Sequence, residues 1–105
     1  RFEKPGDEDT TVDPALMTLF RTVMIQQNID KGLSLAAVGS VSQSLAALQD
    51  AKSIAAKTDG ADSLEDLIAM LTDQVASGSL SADAVGKSVA AASQVAQTAL
   101  DKLSK

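Results

Sequence analysis

Apolar residues recur at helical spacing along most of the chain, and these repeats predict four helices. The first covers about 14–31, with Asp13 as its N-cap, Pro14 as its first helical residue and Gly32 as its stop signal. Apolar residues occupy more than half of its circumference, which predicts contact with more than one neighbouring helix. Its predicted main stripe is Leu16, Phe20, Val23 and Ile29.

The second predicted helix, over about 34–57, carries a stripe of large residues and, beside it, a stripe of small ones. The small residues are Ala37, Ser40, Ser44, Ala47 and Ala51, at alternating spacings of three and four. Small residues in such a row let two helix axes approach to about 8 Å, the lower end of the usual range. This stripe therefore predicts one close helix–helix contact.

Two further helices are predicted over about 64–77 and 82–103. The former begins with Ser63 as a capping residue and ends at Gly78, and the latter follows Ser81. The stripe of the fourth helix is again mostly small: Val85, Val89, Ala92, Ala96, Ala99 and Leu103. We therefore expect the second and fourth helices to pack against each other, while the first and third supply the bulky side chains.

Short glycine-containing connections favour antiparallel neighbours, so the predicted fold is all-α, a small up-down antiparallel four-helix bundle over 13–105. An open helical array completed by other chains is the alternative. Residues 1–12 carry a net charge of −2 and contain Pro5-Gly6, which breaks regular structure. They are expected to form an extended or disordered acidic arm, either solvated or docked on a neighbouring subunit through Phe2.

The composition argues against catalysis. The chain has no His and no Cys, so the commonest general base, the commonest metal ligand and the strongest nucleophile are all missing. Phosphate-binding glycine motifs are absent from the sequence as well. We expect a non-enzymatic protein with no catalytic residues and no cofactor. Ala and Ser, about 30 of the 105 residues, fill the positions that larger side chains usually occupy.

The net charge of −5 disfavours nucleic acid as a partner, because phosphate binding needs clustered Lys and Arg. No apolar run approaches the roughly 20 residues that cross a bilayer, so membrane insertion is not expected. Five acids and no basic residue lie between positions 59 and 73, namely Asp59, Asp62, Glu65, Asp66 and Asp73. Helix capping and solvation explain them; weak Ca²⁺ binding is the lesser alternative, because their order does not fit an EF-hand.

These observations favour a structural or assembly subunit that packs through its helices into a larger protein complex, self-associated or heteromeric. By composition alone, it resembles components of virions, secretion systems and fibres, so it is expected to be soluble or part of an extracellular or virion assembly. The alternative is a monomeric adaptor that holds a partner helix in an apolar groove. The candidate interface residues are Phe2, Phe20, Val23, Met24, Ala47, Ala51, Ala92 and Ala96.

Overall fold

The computed structural model describes residues 13–104, and within them the chain forms four helices and no strand. The predicted all-α four-helix bundle is confirmed. The predicted arm, residues 1–12 with Phe2, lies outside the described residues. The helices are α1 (Pro14–Ala37), α2 (Val41–Ala56), α3 (Asp62–Ser77) and α4 (Ala82–Leu103).

The helices pack as a ring in chain order, with α1 against α2, α2 against α3, α3 against α4, and α4 back against α1. The predicted packing of α2 against α4 is wrong, because these two helices lie diagonally across the bundle. Each short connection places consecutive helices side by side, and the return of α4 to α1 then closes the ring. We refer to the neighbouring helices α1 and α4 as one layer of the ring and to α2 and α3 as the other.

The predicted boundary between the first two helices is also wrong. Gly32 does not end α1; it is buried within the helix, which continues for five more residues. The true stop is Gly39, whose φ of +83° only glycine adopts readily. Around it, the N–H of Ser40 donates to the carbonyl of Leu35 and that of Gly39 to Ala36, the bond pattern of a Schellman motif.

Local capping signals fix three of the other helix ends. Asp13 accepts a hydrogen bond from the N–H of Ala15 at 2.8 Å, as predicted for the N-cap of α1. Gly78 ends α3 with a left-handed φ of +73°, and Ser81 caps α4, both as predicted. The predicted cap at Ser63 is wrong, because α3 begins at Asp62, two residues before the predicted start, and its N-cap is Ala61, which has no side-chain acceptor.

Most bulky core residues come from α1 and α3, as the sequence predicts, but α2 adds one of its own, Leu48. The fully buried large side chains of the core are Ile25, Ile29, Leu48, Leu64, Ile68 and Leu71. Between them lie Ala51 and Ala55 of α2 and Ala84 and Ala92 of α4. Each alanine buries little apolar area itself, but it lets a neighbouring large residue lose contact with water completely.

Candidate protein-interaction surface

The outward side of α1 is apolar. Phe20 is 52 % exposed, Val23 53 % and Met24 49 %, although a helix in a small bundle normally shows polar side chains to water. The side of α1 that faces the core instead carries Ala15, Thr22, Ile25, Ile29 and Gly32. The predicted main stripe therefore does not lie on one side of α1, because Ile29 is buried in the core whereas Phe20 and Val23 are exposed.

The sequence of α1 explains why the exposure of Phe20 and Val23 was not evident from the apolar pattern. Because apolar residues surround most of the helix, apolarity alone does not indicate which side faces the bundle. The close contact with α2 decides it, since the missing side chain of Gly32 leaves room for the backbone of α2 at Ser44. Ser44 of α2 donates its hydroxyl hydrogen to the carbonyl of Gly32 at 2.5 Å, and both residues are buried.

A groove of about 240 Å³ runs between the outer sides of α1 and α4. Val23 and Gln27 line it from α1, and Ser93 and Ala96 line it from α4. The side-chain oxygen Oε1 of Gln26, another lining residue, is buried and accepts no hydrogen bond from the described residues. A donor that entered the groove would therefore meet an acceptor that is already desolvated.

The stripe of α4 that borders the groove continues along the whole helix. Val89, Ser93, Ala96, Leu100 and Leu103 follow one another at spacings of four and three, so they share one side of α4. Val89, Leu100 and Leu103 are 41 %, 45 % and 37 % exposed. We call the surface formed by Phe20, Val23, Met24, Val89, Ala96, Leu100 and Leu103 the outer face.

Charge is sparse in the central part of this layer and is concentrated towards the helix ends. Residues 14–29 of α1 contain a single charged side chain, Arg21, and residues 88–100 of α4 contain none. The guanidinium of Arg21 turns towards the other layer, where its Nη1 donates to the carbonyl of Lys57 at 3.0 Å. This contact stabilises the C-terminal end of α2, where a positive charge is favourable. The seven residues of the outer face are therefore uncharged, and the next charges along α1 are Asp30, which lines the end of the groove, and the exposed Lys31.

The candidate interface residues fall into three groups. Phe20, Val23, Met24 and Ala96 lie on the outer face. Ala47, Ala51 and Ala92 are buried inside the bundle, where they pack against helices of their own chain and offer no surface to a partner. Phe2 lies outside the described residues. Leu100 was missed by sequence reasoning, although its spacing from Ala96 and Leu103 would have indicated it.

A second, smaller cavity of about 170 Å³ lies where the start of α1, the α2–α3 connection and the end of α4 meet. Two threonine hydroxyl groups that line it form hydrogen bonds within their own helices, since Thr18 donates to the carbonyl of Pro14 and Thr98 to that of Gln94.

No group of three or more acidic side chains within residues 13–104 is placed to hold a metal ion. The Ca²⁺ alternative therefore has no support in the described part of the chain. None of the four helices is long and apolar enough to cross a membrane.

No protein-family model matches the chain, and no curated protein or solved structure is detectably similar to it. The function must therefore be inferred from the outer face itself.

Proposed function

We propose that the protein is a non-enzymatic assembly subunit that packs through the outer face into a larger protein complex. The observation that carries the proposal is the exposure of Phe20, Val23 and Met24 on a stretch of α1, residues 14–29, whose one charged side chain, Arg21, turns away from them. Contiguous apolar patches of several hundred Å² on a small protein typically mark a protein–protein contact. A helix that is apolar around most of its circumference is typically covered on more than one side.

The distribution of charge between the two layers supports the same proposal. Helix α3 carries four acids and no basic residue, namely Asp62, Glu65, Asp66 and Asp73. These charges keep that layer solvated, whereas the α1–α4 layer has no comparable charges in its central part. The molecule thus has one layer suited to water and one suited to a protein partner.

A monomeric adaptor that holds a partner helix is the second candidate, and the groove between α1 and α4 favours it. Helices that dock in grooves insert apolar residues at intervals of three and four. A lining of Val23, Ser93 and Ala96 would accept such residues. The adaptor would bind one helix per chain and would not otherwise associate.

The deciding experiment measures the mass and stoichiometry of the complex that a tagged chain forms in its native host. We expect a mass well above the 10.8 kDa of one chain. Val23→Glu places a charge in the outer face and is expected to abolish the complex without unfolding the half-exposed site. Met70→Glu on α3 is the matched control, since Met70 is also partly exposed, at 40 %.

A compact monomer at all concentrations with no co-purifying protein would overturn the proposal. Equal loss of the complex with Val23→Glu and Met70→Glu would show that the outer face is not the site of contact. A one-to-one complex with a single helical partner would instead favour the adaptor.

A further inference from the structure

We infer that the outer face is covered by a second copy of this chain, related by a two-fold axis that places each Phe20 over the other copy's groove. This inference rests on the proposed function and specifies its partner. It follows from the shape of the face, from the position of the charges and from the exposed area.

The shape of the outer face is complementary to itself. Phe20 is the largest exposed side chain among the described residues, and the groove beside Ser93 and Ala96 is lined by small ones. The groove extends along α1 from Thr22 to Asp30, so its centre lies about 9 Å from Phe20 at the helical rise per residue. A two-fold axis perpendicular to the face near Val23 would exchange the two features. Each copy would then both give and receive the same contact, as in isologous dimers.

The position of the charges favours a like copy over a basic partner. The four acids of α3 lie in the layer opposite the outer face. Two copies that meet through their outer faces keep these acidic helices in the outermost layers, where their mutual repulsion is weakest. A basic partner would be attracted to α3 and would find in the groove of the outer face a single acid, Asp30, at the groove's end.

The exposed apolar area supplies about two-thirds of what a standard dimer interface buries on each partner. The partly exposed large residues of the outer face together present on the order of 500 Å² of apolar surface, the size of the largest patch on a typical monomer. A standard interface buries about 800 Å² on each partner. Gln27, Ser93 and the groove walls supply polar and backbone surface for the remainder.

Sedimentation equilibrium of the purified full chain tests the inference directly. We expect a two-chain species, with Phe20→Ala raising the dissociation constant roughly 30-fold or more, as expected for a central aromatic residue. Met70→Ala, the control on α3, should leave the dissociation constant unchanged. Circular dichroism will verify that both variants keep their helices.

A single introduced cysteine tests the orientation, because the chain has none of its own. Val23 would lie beside its counterpart at the two-fold axis, so oxidation of Val23→Cys should give a covalent dimer. Met70→Cys should stay unlinked under the same conditions.

Two results would overturn the inference. One is a chain that stays monomeric up to about 1 mM. The other is a dimer that responds to Met70 and not to Phe20. If the purified chain is monomeric while its native complex is lost with Val23→Glu, self-association fails and the assembly function stands. If neither self-association nor a native complex is found, both the dimer inference and the proposed assembly function are wrong.

Discussion

At the scale of single residues, Gly32 sets how closely α1 and α2 pack. A Cβ atom added at this position would lie 2.9 Å from Cγ of Leu48 and 3.2 Å from the carbonyl oxygen of Ser44. The second contact is with backbone, which cannot turn away as a side chain can. The missing methyl group therefore leaves the space that α2 occupies.

We expect Gly32→Ala to destabilise the protein by about 1–2 kcal/mol, because overpacking outweighs the gain in helix propensity. Gly86 provides the matched control, since it also lies inside a helix and an added Cβ would meet nothing within 4 Å. Gly86→Ala should stabilise the protein by up to about 1 kcal/mol. Urea unfolding followed by circular dichroism measures both. Equal stabilisation by the two substitutions would mean that α1 and α2 can separate at no cost.

At the scale of helices, the α3–α4 connection is held by two side chains. The N–H of Ser81 donates to Oε1 of Gln74 at 2.9 Å, and the hydroxyl of Ser81 accepts from the N–H of Ala84 at 3.1 Å. The same hydroxyl donates to Oε1 of Gln74 at 3.2 Å. One serine thus caps α4 and ties it to the last turn of α3.

Ser81→Ala should therefore lower the free energy of unfolding by about 1 kcal/mol, the usual cost of losing an N-cap. Ser63→Ala removes the hydroxyl that the sequence alone would have assigned to the same role in α3. Because α3 has no side-chain cap, this control should change stability by less than about 0.5 kcal/mol. Thermal unfolding distinguishes the two, and a larger loss for Ser63→Ala would contradict the assignment of the helix starts.

The helix ends that the sequence predicts correctly are those with purely local signals. Asp13-Pro14, Gly78 and Ser81 act through their own backbone or through hydrogen bonds to residues nearby in the chain. Gly32 differs, because its glycine serves a contact with a helix that comes later in the chain. A sequence pattern does not distinguish a glycine that leaves room for a neighbouring helix from one that adopts a positive φ. The sequence alone therefore does not identify Gly39 as the residue that ends α1.

At the scale of the whole molecule, the short connections predict the helix pairing better than the small-residue stripes do. Small residues occur on all four helices, so they do not indicate which two helices pack together. A connection of a few residues, in contrast, places a helix beside the helix that precedes it. The outer face likewise depends on contacts between helices that the pattern within one helix does not reveal. Phe20, Val23 and Met24 were predicted from their apolar side chains, but their exposure depends on which side of α1 the close contact at Gly32 turns inwards.

The uncharged outer face also predicts how self-association depends on salt. Raising NaCl from about 0.05 M to about 0.5 M shortens the Debye length to a few ångströms and weakens contacts that rely on ion pairs. An interface centred on Phe20, Val23 and Ala96 contains no such pair. Screening should instead reduce the repulsion between two chains that each carry a net charge of −5. The dissociation constant of the dimer should therefore stay constant or fall.

Sedimentation equilibrium across this range of salt provides the measurement, with the wild-type chain and Met70→Ala expected to behave alike. A dissociation constant that rises more than about tenfold would point to contacts through charged side chains. The acids of α3 and the lysines at positions 52 and 57 would then be the groups to examine. Constant affinity, together with sensitivity to Phe20→Ala, would assign the association to the apolar outer face, because only burial of apolar surface persists as charges are screened.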